Sequence, residues 1–221
     1  MGWLVEQRLE LAMPACEYEL AFAHHGAVAG VDEVGRGPLA GPVTAAAVIL
    51  PADETVRAWL LARANDSKKM TEKLRAEVAA YVEEHCAFAV AEATVAEIDA
   101  LNIRNAALLA MKRAVDALAC KAVLVDGRDV VPGVMHPQKA LIGGDGIELC
   151  IACASIVAKQ RRDALMKKLD EQFPGYGWAS NAGYGTATHM AGLQTLGVTE
   201  HHRRSFAPVR AIAMNGVVKA A

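Results

Sequence analysis

An aspartate and a glutamate stand side by side at Asp32 and Glu33, directly after the apolar run Ala27-Val28-Ala29-Gly30-Val31. A third acid, Asp126, closes the run Ala122-Val123-Leu124-Val125, and a fourth, Asp145, occupies the glycine-rich corner Gly143-Gly144-Asp145-Gly146. Strands that end on carboxylates can bring several acids to one edge of a sheet. Like charges gathered there repel in a low-dielectric pocket, and hard divalent cations on the same oxygens relieve the repulsion and create a hydrolytic centre, so Mg²⁺ or Mn²⁺ is the expected cofactor. Taken alone, Asp126 or Asp145 reads as an ordinary Asp-Gly turn. The adjacent pair resists that reading. Neighbours on a strand face opposite ways, so a pure core role would bury one carboxylate unless the backbone bends both toward a metal.

Other groups offer weaker chemistry. Cys150 and Cys153 have the spacing of a redox or zinc half-site, yet they lie in an apolar helical run with no second Cys or His pair nearby and read as core thiols. His201-His202, followed by Arg203-Arg204, reads equally as a metal or phosphate cluster and as an exposed polar turn. Nothing fixes a proton-transfer role for His189. The cations Lys68, Lys69, Lys73, Lys159, Arg161, Arg162, Arg203 and Arg204 can meet phosphates or merely face solvent.

The elements that must position these residues follow from periodicity and punctuation. The apolar stretches around 27–32 and 43–50, split by Gly35-Arg36-Gly37-Pro38, predict two strands joined by a tight turn. A helix is predicted from Thr71, its cap, to about His85, and a strand over 87–94. A long helical pattern over 95–118, broken near Asn102, leads into a buried strand at 122–125. Residues 139–142 form a weaker strand candidate, and Ile151, Ala154, Ala158, Leu165 and Leu169 recur at helical spacing up to Pro174. A short helix over 190–196 ends at Gly197, and the last residues read as a tail. Strands first, helices interleaved and no linker imply a single α/β core with a C-terminal helical extension. The boundaries are a segment 1–26, a core 27–172, and an extension with its tail over 173–221.

The 221 residues, 53% of them hydrophobic, give material for one generous domain. A net charge of -2 means that a nucleic-acid partner, if any, must meet a local basic patch. Five cysteines lack the density of a secreted disulfide scaffold and point to a reducing cytoplasm. Glu6, Arg8, Glu10, Glu17 and Glu19 interrupt the first 20 residues, which excludes an ordinary signal peptide or a membrane span there.

The stretch from Gly30 to Val43, with Asp32-Glu33 and Gly35-Arg36-Gly37-Pro38 inside it, resembles the signature opening of the ribonuclease HII family. Asp66-Ser67-Lys68-Lys69-Met70, Glu97 to Ile103, Val125-Asp126-Gly127 and Ala154-Ser155-Ile156-Val157-Ala158-Lys159 follow in that family's order. Pro174-Gly175-Tyr176-Gly177, Gly183-Tyr184-Gly185-Thr186 and His202 to Val209 are similar to its closing motifs. The resemblance implies an RNase H-like mixed sheet flanked by helices. It implies that Asp32, Glu33, Asp126 and Asp145 hold two divalent ions, Mn²⁺ or Mg²⁺, beside a scissile phosphate, leaving a 3′-hydroxyl and a 5′-phosphate. It implies that Gly35, Arg36 and Gly37 contact a ribose 2′-hydroxyl through their backbone, that Ser67 and Lys68 bind substrate, and that Tyr184 packs on the next sugar. The implied substrates are RNA/DNA hybrids and duplex DNA carrying ribonucleotides, met by a cytoplasmic monomer with no membrane partner. Two departures stand out. Gly143 and Ala182 occupy places where the family has lysines, which removes two cations from the substrate's path. A sugar-kinase-like phosphotransferase would need two copies of this core, and one copy of each motif is present; a silent binding module would be expected to have lost an acid.

Overall fold

The computed structural model describes residues 14–214. The acids read at Glu6 and Glu10, and the end of the tail over 215–221, lie outside them.

A five-stranded sheet organises the chain, in the order β3-β2-β1-β4-β5. Its strands are β1 (Val28–Val34), β2 (Val43–Ile49), β3 (Ala87–Ala93), β4 (Ala122–Asp126) and β5 (Gln138–Leu141). β1 pairs antiparallel with β2, and β2 with β3. β1 pairs parallel with β4, and β4 with β5, Val31 standing opposite Val125. The parallel pairs decide the function: strands that run the same way deliver their carboxyl ends, and hence Asp32-Glu33 and Asp126, to one edge.

Alternation along the strands feeds two cores, one on each face. On β2, Ala46 and Val48 join one cluster while Val43, Ala45 and Ala47 join the other. The first face is covered by α2 (Glu54–Leu61), α3 (Glu72–His85) and the long α6 (Leu149–Gln172); α5 (Ile103–Asp116) covers the second. α1 (Glu17–Phe22) packs Tyr18 and Phe22 against the first core. α4 (Val95–Leu101) stops at Asn102, whose left-handed φ of 68° breaks the helix and whose side chain caps α5 through the Arg104 and Asn105 amides. The break expected near Asn102 is therefore a cap. Thr71 caps α3 by accepting from the Leu74 amide.

A third cluster joins the end of α6 to α7 (Trp178–Asn181), α8 (Ala187–Leu196) and α9 (Ala207–Met214) through Met166, Trp178, Leu193 and Val209. Residues 211–214, read as tail, belong to α9. The unassigned segment after β2 holds α2, capped by Asp53 on the Thr55 and Val56 amides. Gly30 shows how close the layers lie: a Cβ there would stand 2.3 Å from the Cys150 carbonyl carbon of α6. Among the described residues no helix is long and apolar enough to cross a membrane.

Candidate active site

Asp32 sits near the end of β1 and is buried, with Ser155 of α6 as a hydrogen-bonding neighbour. Burial pushes its carboxyl well above the usual range, and Glu33, Asp126 and Asp145 push it further. Its Oδ1 accepts from the Glu33 amide at 2.7 Å. Burial likewise raises Glu33 to about 7, although Arg36 opposes the shift from 3.5 Å. Asp126, at the end of the adjacent parallel strand, is raised by burial and then by Asp145. The Gly144 and Asp145 amides hold that shift down, yet among the described residues no donor reaches the buried Asp126 Oδ1 in hydrogen-bonding geometry. Asp145 arrives in a 3-10 turn (Gly144–Gly146) that follows β5, after the left-handed Gly143 at φ 68°. Asp32, Glu33 and Asp126 are thus all raised by burial at one sheet edge, and the charge of Asp145 adds to the rise of Asp32 and Asp126.

A cavity of about 350 Å³ opens beside them, lined by Asp32, Glu33 and Asp126 and by the cations Lys68, Arg75 and Lys159. Val34, Ser67, Ser155 and Tyr184 complete its wall. Burial works to lower the Lys68 pKa, but Asp145, Asp66, Asp32 and Asp126 together outweigh it and hold the ammonium above its ordinary value. Ser67 is buried against Ser155, with their oxygens 3.1 Å apart. Arg75 Nη1 holds the Ser67 carbonyl at 3.2 Å, which anchors the turn that carries Lys68. Glu33 and Asp126 also line a smaller cleft with Arg36, Arg104 and Arg128.

The Gly35-Arg36-Gly37 turn leads out of β1 toward Tyr184. A Cβ on Gly37 would stand 3.1 Å from Tyr184 Cε1, so turn and ring are neighbours. Gly35 is required from behind: at φ 95°, its Cβ would fall 2.1 Å from Arg162 Nε. Bulk at either glycine thus meets protein before it meets any sugar. The ring of Tyr184 is about half exposed. Its backbone carbonyl is held by His189 Nδ1 at 3.0 Å.

Ser155 and Arg75 line the site without an assigned role in the sequence reading, and Lys159, read there as a cation for phosphate or solvent, joins them. The segment Ala154 to Lys159 was a visible signal for two of them, whereas nothing singled out Arg75. Arg162, Arg203 and His202 are buried, so the solvated face and the exposed turn considered for them are corrected. Cys150 and Cys153 are fully buried core thiols, as read. A separate group, Cys16, Glu19 and Glu148, brings its donor atoms within 4.8 Å. It serves structure: Arg57 binds Glu19 at 2.6 Å, and Glu148 accepts from the Tyr18 and Glu19 amides at the start of α1.

A mixed sheet whose parallel strands deliver acids to one edge thus stands beside a cavity that also carries cations. Residues 29–209 match the family model for Ribonuclease HII. A ribonuclease HII of Paramagnetospirillum magneticum is 52% identical over 197 residues, covering 88% of this chain and 95% of that protein. One from Jannaschia sp. is 50% identical over 198 residues, covering 89% and 97%. In fold, the RNase HII in the PCNA:RNase HII complex from Archaeoglobus fulgidus superposes with a TM-score of 0.68 at 23% identity, covering 80% of this chain and 93% of that one. Bst-RNase HIII in complex with Mn²⁺ gives 0.68 at 19% identity, covering 86% and 70%. The chain belongs to the ribonuclease HII family and is an endoribonuclease of the RNase H type.

Proposed function

We propose that the protein cleaves the RNA strand of RNA/DNA hybrids and incises duplex DNA on the 5′ side of an embedded ribonucleotide, leaving 3′-hydroxyl and 5′-phosphate ends. The observation that carries this reading is the meeting of Asp32, Glu33 and Asp126 with the Tyr184 ring at one cavity, with Asp145 acting on Asp126 from the neighbouring turn and Gly37 lying against that ring. Asp32, Glu33, Asp126 and Asp145 would hold two divalent ions. The orphaned Asp126 Oδ1 and the upward shifts of its neighbours suit that role, because each calls for positive charge. The Mn²⁺ bound by the related Bst-RNase HIII supports it. Bound there, Mn²⁺ or Mg²⁺ would lower the pKa of an attacking water and neutralise the phosphate.

The chain's own residues do the rest. Lys68 and Lys159 offer charge to substrate phosphates in place of the absent lysines at 143 and 182. Ser67 braces the Lys68 turn against α6 through Ser155. The backbone of Gly35, Arg36 and Gly37 reads the 2′-hydroxyl that separates RNA from DNA, and the half-exposed Tyr184 packs on the following deoxyribose. Residues 1–26, 27–172 and 173–221 are proposed as segment, catalytic core and substrate-contacting extension, the last contributing Tyr184. The protein is taken to work as a monomer in the cytoplasm, where its five free thiols would stay reduced.

The test is a duplex with one ribonucleotide in one strand, incubated with Mn²⁺ or with EDTA, and its products mapped by gel and mass spectrometry. Incision 5′ of the ribonucleotide, only with metal, is expected. Incision on its 3′ side, or a 2′,3′-cyclic phosphate, would overturn the mechanism, since a metal-activated water leaves the 2′-hydroxyl unconsumed. Tyr184→Ala is expected to lower this cut about tenfold or more while Mn²⁺ binding by calorimetry stays within about twofold, because a lost sugar contact leaves the acids untouched.

A further inference from the structure

We infer that Arg203, with Arg162 beside it, is the positioning residue for ribose recognition: its buried guanidinium turns the Gly35-Arg36-Gly37 peptides so that their amides face the substrate. The inference rests on the proposal that this turn reads the 2′-hydroxyl. Arg203 and Arg162 are almost wholly buried, at 0% and 1% exposure. All the hydrogen bonds these two guanidiniums make run to backbone carbonyls. Arg203 gives Nη2 to Gly35 O at 2.6 Å, Nη1 to Arg36 O at 3.0 Å and Nε to Gly41 O at 2.9 Å. Arg162 gives Nε to Pro42 O at 3.0 Å, Nη2 to Ala40 O at 3.1 Å and Nη1 to Ala182 O at 2.9 Å, two residues before Tyr184.

Peptide planarity converts these bonds into an orientation. In a trans peptide the carbonyl and the following amide point in opposite directions. With Gly35 O and Arg36 O drawn inward to Arg203, the amides of Arg36 and Gly37 must point outward. Among the described residues no backbone carbonyl takes either amide. Two adjacent outward N–H groups form a donor pair suited to a sugar hydroxyl oxygen. The fork of Arg203 is rigid and planar, so it fixes both peptides at once, which the single ammonium of a lysine does not do. Burial lowers Arg203 to about 9 and Arg162 to about 10, so both stay cationic at neutral pH. Arg162 ties the Tyr184 loop, through Ala182, to the segment that follows the turn at Ala40 and Pro42, and Arg203 bonds the same Pro42 carbonyl.

The test compares affinities in the Asp126→Asn protein, which is expected not to turn over, with and without Arg203→Lys. Each is titrated with an all-DNA duplex and with the same duplex carrying one ribonucleotide. The native turn is expected to favour the ribonucleotide about tenfold or more; with Arg203→Lys that ratio should fall toward one while all-DNA affinity, set by phosphates, changes by less than about threefold. A merely structural role would weaken both duplexes and leave the ratio standing. A ratio undiminished by Arg203→Lys overturns the inference. A ratio of one with the native turn overturns the hydroxyl reading itself, and the inference with it. Should the lysine variant not fold, the Asp126→Asn protein alone decides: its Arg36 and Gly37 amide resonances must shift differently with the two duplexes, and equal shifts overturn the inference.

Discussion

Asp126 carries a buried oxygen with no donor, and Asp32 carries a carboxyl that burial and three neighbouring acids resist ionising. Asp126→Asn is therefore expected to cut turnover by at least about a hundredfold, because an amide replaces an anionic ligand. In EDTA, Asp32→Asn should raise stability at pH 7 by on the order of 1 kcal/mol, or about 2–4 °C in melting temperature. Melts that show a fall would mean that the Asp32 anion is well compensated without metal. The histidines titrate in the opposite sense. The Tyr184 carbonyl can only accept, so His189 carries its proton on Nδ1 and leaves Nε2 to accept from Trp178 Nε1 and from His202 Nε2, both at 3.0 Å. His202 Nδ1 in turn accepts from the Thr199 amide. Neither ring has room for a second proton, and burial, then His189 and His201, lowers His202 to about 3. An unfolded histidine takes up its proton near pH 6.5, so the unfolded chain binds more protons and stability is lost as pH falls from about 6.5 toward 3. His202→Gln should flatten that loss by up to about 1.4 kcal/mol per pH unit relative to the native protein, the shared acids cancelling in the comparison. Parallel curves would mean that His202 protonates freely. The four acids were legible because each ends an apolar run or marks a glycine corner. The burial of His202, Arg162 and Arg203 was not, since charge predicts solvent and only partners distant in sequence make burial tolerable.

Elements enter through what lets them approach. α6 lies on β1 because Gly30 has no side chain, and Gly30→Ala would set a methyl 2.3 Å from the Cys150 carbonyl carbon and 2.4 Å from the Ile151 amide nitrogen. Backbone cannot swing aside as a side chain can, so a cost of about 3 kcal/mol, or roughly 6–12 °C in melting temperature, is expected. Calorimetry that finds a drop under about 2 °C would show that α6 can withdraw from β1 at little cost. Ser155 would be carried away with α6, so activity should fall even where the variant folds. The strands at 122–126 and 87–93 and the helix from Thr71 were readable from apolar runs and caps. α2 was missed although Asp53 marks its start, since eight residues offer little more than two turns of periodicity. The end of α9, residues 211–214, was taken for tail because its apolar residues gain meaning only against the third core, which Ile212 and Ala213 join. The parallel pairing of β1 with β4, which gathers the acids, has no local signal at all; the family resemblance implied a mixed sheet, and the pairing itself comes from the structure.

For the whole molecule, metal held by the four acids is expected to stabilise the fold. Mn²⁺ at about a hundred times its dissociation constant should stabilise the native protein by about 2.7 kcal/mol, or roughly 5–10 °C, and the gain should vanish in Asp126→Asn. A scan with equal gains in both proteins would move the binding elsewhere. The bond from Arg203 to Gly35 spans 168 residues, and it has a consequence in time. Translation delivers β1, both parallel strands and all four acids well before it reaches Arg203. During that interval the emerging chain holds the four acids but not the guanidinium that binds the Gly35 and Arg36 carbonyls. If Arg203 orients the turn as inferred, ribose discrimination would be acquired late in synthesis, and a chain that stalls before Arg203 would carry the acids without that selectivity.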